Sequence, residues 1–263
     1  MYKDFNLYNG IYKVDVYDNQ PLVGNLHDGV SSGISMCQFL AALVAYVEYF
    51  ERKAVMSSGI LYSNGCPAQP ILFNKEKAYS VACRRAYNES VERYSLHEWF
   101  FDHSIRHTHL PEDSFLQSVA GLVQNKKGLG QIRIDLCGTK NFILSYIKLE
   151  KGLIFGTAVD DNIENAKKRS ISELLRNSLS FLKSIHEKHI SRPDYEILSL
   201  GIQGNMLIDR INHTGQNKLY IPKPQLTHEI QHEHQDKVVV VRSIISDKRY
   251  SKQQLCDQYS VSV

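Results

Sequence analysis

Three short acidic segments carry the residue types from which a binding or catalytic site could be built. The first runs Ala45-Tyr46-Val47-Glu48-Tyr49-Phe50-Glu51-Arg52, and the second runs Ala86-Tyr87-Asn88-Glu89-Ser90-Val91-Glu92-Arg93. Both read AxxExxER without a gap. The third, Ala166 through Glu173, keeps the leading alanine and one glutamate, with Asn177 one turn further on. On a helix, glutamates three apart share a face, so each of the first two segments presents a carboxylate pair to one volume. Two such helices packed side by side would gather four carboxylates, which repel unless a cation joins them. Mg2+ held together with nucleotide phosphates is a common solution, since it accepts one or two carboxylates and leaves room for phosphate oxygens. Several glutamates then imply more than one ion, while Arg52 and Arg93 could offset phosphate charge or orient a glutamate. The plain alternative for either motif alone is a solvated helix face, because Glu48–Arg52 and Glu89–Arg93 are i,i+4 pairs of favourable orientation. The apolar settings (Val47, Tyr49 and Phe50 in one, Val91 and Tyr94 in the other) and the repetition argue against it.

Each acidic helix must be positioned by what precedes it, and in all three cases that is a glycine-containing strand or turn: Ser32-Gly33, Asn64-Gly65 and Gly156-Thr157. The alternation of Tyr12, Val14 and Val16 with Lys13 and Asp15 predicts a half-buried strand. Helical periodicity runs over Ser35 to Ala54 with Ser35 placed as an N-cap, and a short strand covers Gly59 to Tyr62. A long helix runs from Lys75 past Tyr94, and Pro111 opens another to about Gln124. Ile132 to Leu136 and Phe142 to Leu149 read as strands, followed by a helix from Asp161-Asn162 to His186. Tyr195 to Ile202 and Lys237 to Ile245 read as further strands, with Met206 to Ile211 unassigned. The class is α+β, a mixed α/β arrangement of repeated strand–helix units with a mixed or antiparallel sheet against long helices. No Pro/Gly/Ser linker divides the chain, so residues 1–263 read as a single domain.

Composition narrows the function classes. The 263 residues carry a formal charge of +3 with no Lys/Arg block, which disfavours nucleic acid as a partner. The most apolar run, Phe39 to Val47, is too short to span a bilayer, so no membrane role is expected. Five cysteines at 37, 66, 83, 137 and 256 form no CxxC pair, and the N-terminus lacks a secretory pattern. Reduced thiols and a cytoplasmic location follow.

On these residues the chain resembles the YcaO family, whose first element is SxxExxER. Glu48, Glu51 and Arg52 match that element, with Ala45 where the family prefers serine. Glu89, Glu92 and Arg93 are similar to its second acidic helix, preceded by the Asn64-Gly65-Cys66 turn. Gln131 to Leu136 resembles the strand before the third unit, and Gly156 through Glu173 the glycine turn and helix that follow. Asn177 stands where the family often has glutamine. The resemblance covers roughly residues 30 to 200. It implies a YcaO-like fold, ATP and Mg2+ as cofactors, and a peptide substrate. ATP- and Mg2+-binding residues would be Glu48, Glu51, Arg52, Glu89, Glu92, Arg93, Glu173 and Asn177, with the five glutamates on the metal. It also implies activation of a backbone amide by phosphorylation, of the kind that cyclodehydrates Cys, Ser or Thr to azolines in ribosomally made peptides.

The sequence also departs from that family. The interval between the first two acidic helices is short, and Ser32-Gly33-Ile34 stands in place of a Gly-Lys-Gly-like turn. The start of the second acidic helix, Asn74-Lys75-Glu76-Lys77, is about one turn off register. The chain ends Tyr259-Ser260-Val261-Ser262-Val263 rather than in prolines, and it has no leader-binding extension. These features predict a partner protein for the leader peptide or a non-catalytic YcaO-like scaffold subunit, while the resemblance itself implies association into an oligomer. An unrelated carboxylate-rich metal hydrolase is the third reading. His228 to His234 reads as a polar connector rather than a zinc helix, since no HExxH order holds. His103, His107 and His109 read as helix-end residues, and Cys37, Cys83 and Trp99 as core.

Overall fold

The computed structural model describes residues 2–8, 10–17, 31–57, 67–71, 74–111, 113–122, 128–148, 153–187, 208–230 and 238–245. In chain order the elements are β1 (Tyr2–Tyr8), β2 (Ile11–Tyr17), β3 (Ser31–Ser35), α1 (Gln38–Ser57), β4 (Ala68–Pro70) and α2 (Lys75–Phe101). They continue with β5 (Thr108–Leu110), α3 (Ser114–Leu122), β6 (Leu129–Leu136), β7 (Asn141–Lys148), β8 (Leu153–Asp160) and α4 (Ile163–Glu187). The last are β9 (Lys218–Leu219), β10 (Gln225–Ile230) and β11 (Val238–Ile244). The class is the mixed one expected, long helices with mainly antiparallel sheets. These elements group into two compact units, residues 1–91 with 222–263 and residues 92–221, the division falling inside α2.

In the first unit, β1, β2 and β3 form an antiparallel sheet, and the β1–β2 turn places Gly10 at φ 83°, a conformation that glycine adopts without cost. Val14 and Val16 bury one face of that sheet against Ala41, Ala45 and Phe50 of α1. A second sheet, ordered β10-β11-β4, packs Val239 and Val241 against Ala78, Ala82 and Ala86, which recur every fourth residue along α2. Strand β10 pairs with β11, so the polar connector expected over His228 to His234 is a strand as far as Ile230. His228 is therefore not on a helix face, and 231–237 lie outside the described residues, as do the expected strands 59–62 and 195–202.

The second unit repeats the same order of three antiparallel strands followed by a long helix. Its sheet runs β5-β6-β7-β8, with β9 parallel to β6, and α4 lies on β7 and β8. Ala166, Ile171, Leu174, Leu175 and Leu179 bury the inner face of α4 at helical spacing. Three helices start on side-chain caps that satisfy their first N–H groups. Asn74 Oδ1 accepts from Lys77 N–H at 2.9 Å, Asp113 Oδ1 from Phe115 N–H at 2.8 Å, and Asn162 Oδ1 from Glu164 N–H at 2.9 Å. At α1 the expected cap is displaced. Ser35 closes β3, its Oγ accepts from Cys37 N–H at 3.1 Å, and the helix begins at Gln38. Cys37 is exposed rather than core.

The end of α2 carries a buried polar knot that the helix-end reading of the histidines missed. Arg210 is 1% exposed and donates to the carbonyls of Trp99, Asp102 and Ile105, where the last carbonyls of a helix lack intrahelical partners. Its guanidinium lies 5.2 Å from the centroid of the buried Trp99 ring. Trp99 Nε1–H donates to His107 Nδ1 at 3.3 Å, and His107 Nε2 faces Ile211 O at 3.0 Å. These partners select the neutral ring with its proton on Nε2. Burial, then His109, Arg210 and Arg106, pull His107 down to about 4, against the raising effect of the Ile211 carbonyl. Because the unfolded ring takes up its proton near 6.5, stability should fall as pH drops from about 6.5 through about 4, by up to roughly 3 kcal/mol. NMR titration should find the His107 ring neutral at pH 5.5; an imidazolium there would contradict this assignment.

Candidate functional site

The glutamates singled out by the sequence take up backbone groups at the edges of sheets. Strands β3, β4 and β8 are each terminal in their sheet order, so alternate N–H and C=O groups point away from the neighbouring strand. Ser32 N–H donates to Glu48 Oε2 at 3.0 Å, Ala68 N–H to Glu51 Oε1 at 2.7 Å, and Thr157 N–H to Glu173 Oε2 at 2.9 Å. Asn177, one turn beyond Glu173, donates from Nδ2 to Phe155 O at 2.8 Å, so the two side chains take adjacent outward groups of β8.

Glycine makes this reach available. A Cβ on Gly33 would stand 2.0 Å from Ala41 O and 2.5 Å from Ala45 N. One on Gly156 would stand 2.3 Å from Leu174 N and 2.4 Å from Ser170 O. In both units the helix backbone lies directly on the strand, which brings a glutamate to the strand's edge. The glycine preceding each acidic helix was legible in the sequence; the contact of Gly33 and Gly156 with helix backbone was not, and Asn64-Gly65-Cys66 lies outside the described residues.

In the first unit Glu48, Glu51 and Glu89 are electrostatic neighbours together with Arg85, which the sequence reading missed. Arg85 Nη2 lies 3.2 Å from Glu51 Oε1, and Arg85 also donates to Ala68 O. Burial is the main cause that raises Glu51 to about 8, with Glu89 and Glu48 adding to it and Arg85 and the Ala68 N–H opposing it. A carboxyl raised in the folded state favours folding most below its unfolded value of 4.5, and that contribution is lost as pH rises through about 8. Urea midpoints of Glu51→Gln across pH 4.5 to 8 should therefore show less loss of stability with rising pH than the parent. Equal slopes would contradict this placement of the charge. The side chain of Arg52 lies outside the described residues.

In the second unit Thr157 holds two of the expected site residues at once. Its N–H serves Glu173, and its hydroxyl donates to Glu92 Oε1 at 2.6 Å. Arg176 Nη2 stands 3.6 Å from Glu173 Oε1, and Arg93 is half-buried. Glu89 and Glu92 belong to the two different units by three residues of one continuous helix, so they share a face of α2.

These donors suit Mg2+ in kind, being hard carboxylate oxygens oriented by backbone N–H groups, as hydrogen bonds behind metal ligands orient them. Among the described residues no three His, Cys, Asp or Glu side chains form a cage for a cation. No helix among the described residues is long and apolar enough to cross a membrane.

No family model matches the sequence, and no curated protein matches it either. Solved structures do match the fold. YcaO from Methanopyrus kandleri, bound with AMPPCP and Mg2+, superposes with a TM-score of 0.61 at 12% identity, covering 92% of this chain and 84% of that one. A chain of the E. coli microcin synthetase McbBCD complex with pro-MccB17 bound gives 0.64 at 10% identity, covering 92% and 86%. The McbBCD complex gives 0.59 at 10% identity with the same coverage. Over nine-tenths of its length, this chain has the YcaO fold.

Proposed function

We propose that this chain is an ATP- and Mg2+-dependent enzyme that activates a peptide backbone amide, of the cyclodehydratase type. It would form azolines from Cys, Ser or Thr in a ribosomally made peptide. The observation that carries the reading is Thr157 holding Glu92 and Glu173 together, in a fold whose relative binds AMPPCP and Mg2+. Residues 1–263 are read as one YcaO-like domain, cytoplasmic, working with a partner protein that presents the peptide. The microcin synthetase McbBCD is described as a complex with pro-MccB17 bound, which supports a reading with partner proteins.

ATP with Mg2+ would supply the phosphoryl group that turns an amide oxygen into a leaving group once a nucleophile has added to the carbonyl. The chain's own residues would do the positioning. Glu48, Glu51, Glu89, Glu92 and Glu173 would hold the Mg2+ that carries the phosphates, with one oxygen of Glu48, Glu51 and Glu173 aimed by an edge-strand N–H. Arg52, Arg93 and Asn177 would support them. Bound metal would also favour the ionised form of Glu51, reversing the repulsion from Glu48 and Glu89.

A scaffold role is the second reading. Glu48, Glu51, Glu173 and Asn177 each bond an edge strand, which is a structural task of their own. Hydrogen–deuterium exchange separates the two. Slower exchange at β3–α1 and at β8–α4 with Mg2+ and AMPPNP together, and not with either alone, is the enzyme result. Unchanged exchange under all conditions supports the scaffold.

A further inference from the structure

The hold that Thr157 has on two carboxylates has a counterpart in the first unit that no sequence motif marks. Ser32 precedes Glu48 by 16 residues, as Thr157 precedes Glu173 by 16. Each donates its N–H to that glutamate, and each donates its hydroxyl at 2.6 Å to a second carboxylate, Asp15 Oδ1 in one case and Glu92 Oε1 in the other. Both stand on the terminal strand of a sheet, next to the glycine on which the following helix rests. The arrangement is thus duplicated in residue type, direction of donation and spacing.

Asp15 differs from Glu92 in its surroundings. It lies on β2 directly across from Ser32, 1% exposed, and forms an ion pair with Lys13, which is 2% exposed. A charge taken that far from water is tolerated only when paired and hydrogen-bonded. A buried pair of this kind is weak as a source of stability, since well-packed apolar residues often replace it without loss. Its geometric consequence is more specific. The pair fixes an acceptor under the Ser32 hydroxyl, and the hydroxyl fixes the residue whose N–H aims Glu48.

We infer that Asp15, acting through Ser32, is the positioning residue of Glu48, the counterpart of the hold Thr157 has on Glu92 and Glu173. The inference deepens the proposed reading of Glu48 as a contact for phosphate-bound Mg2+ and rests on it. Lys13 belongs to the same device, because its ammonium pairs with the same Asp15 Oδ1 that accepts from the Ser32 hydroxyl.

The test uses the full chain labelled with carboxyl-13C glutamate, with Glu48→Gln to assign the Glu48 resonance, together with titration by Mg2+ and AMPPNP. Ser32→Ala and Asp15→Ala are expected to shift that resonance and to weaken nucleotide binding by about tenfold, the lower range for loss of a contact that orients a metal ligand. Ser32→Thr, which restores the hydroxyl, is expected to keep both near the parent. Asp15→Ala removes the carboxylate that Lys13 pairs with; if it does not fold, Ser32→Ala keeps the pair intact and decides alone. An unmoved Glu48 resonance in a folded Ser32→Ala chain overturns the inference, as does binding equal to the parent's. If the parent itself binds no nucleotide, the proposed function fails, and the resonance still decides whether Asp15 positions Glu48.

Discussion

Replacing Gly156 by alanine is expected to cost the protein about 3 kcal/mol or more, at the upper end of what overpacking does. The added Cβ would sit 2.3 Å from Leu174 N and 2.4 Å from Ser170 O, and both are helix backbone, which cannot rotate away as a side chain can. To relieve the clash α4 must lift from β8, and the bonds from Thr157 N–H to Glu173 and from Asn177 to Phe155 O must lengthen with it. Gly33→Ala should act in the same way in the first unit, where the nearest atom is Ala41 O at 2.0 Å. Gly121→Ala is the control. It lies in α3 with nothing within 4 Å, so the helix propensity of alanine should stabilise it by about 0.5–1 kcal/mol. Thermal denaturation of the three variants checks the contrast. Gly156→Ala or Gly33→Ala melting with the parent would mean that helix and strand are not in backbone contact.

Glu92→Gln is expected to leave the fold standing and to reduce nucleotide turnover at least about a hundredfold, the scale at which removal of one electrostatic stabiliser is felt. Glutamine keeps the shape and an oxygen that accepts from the Thr157 hydroxyl, so the hold on β8 survives. The change removes a carboxylate charge that would hold the Mg2+ carrying the phosphates. The measurement is phosphate release in the presence of peptide and partner, with circular dichroism to show the fold. Full turnover in Glu92→Gln would remove this residue from the site. Thr157→Val separates geometry from charge: it keeps the N–H that serves Glu173 and loses only the hydroxyl contact.

The helices were legible because their signals are local. Asn74 and Asn162 cap α2 and α4, and the apolar spacing of α4 runs through Ala166, Leu174 and Leu179. Strands β1, β3 and β8 were harder. Ser31–Ser35 is rich in serine and glycine and offers no alternation of large apolar residues, so it reads as a helix cap. Leu153–Asp160 holds a glycine where a turn would be expected, and only the approach of α4 explains that residue. The acidic helices stood out because the same pattern occurs twice in ungapped form. Their partners did not stand out, since Thr157 meets Glu92 across 65 residues and Arg85 meets Glu51 across 34. The buried pair of Lys13 and Asp15 alternates with valines along β2 and reads as the solvent face of a half-buried strand; the structure buries both faces.

The central claim, that the acidic helices bind a nucleotide with its metal, is tested most directly by calorimetric titration of the purified chain with AMPPNP. The titration is run with and without Mg2+, and again on Glu89→Gln. The account predicts binding that requires Mg2+ and is lost in the variant. Absence of binding at saturating nucleotide, or binding that ignores both Mg2+ and Glu89, would contradict it.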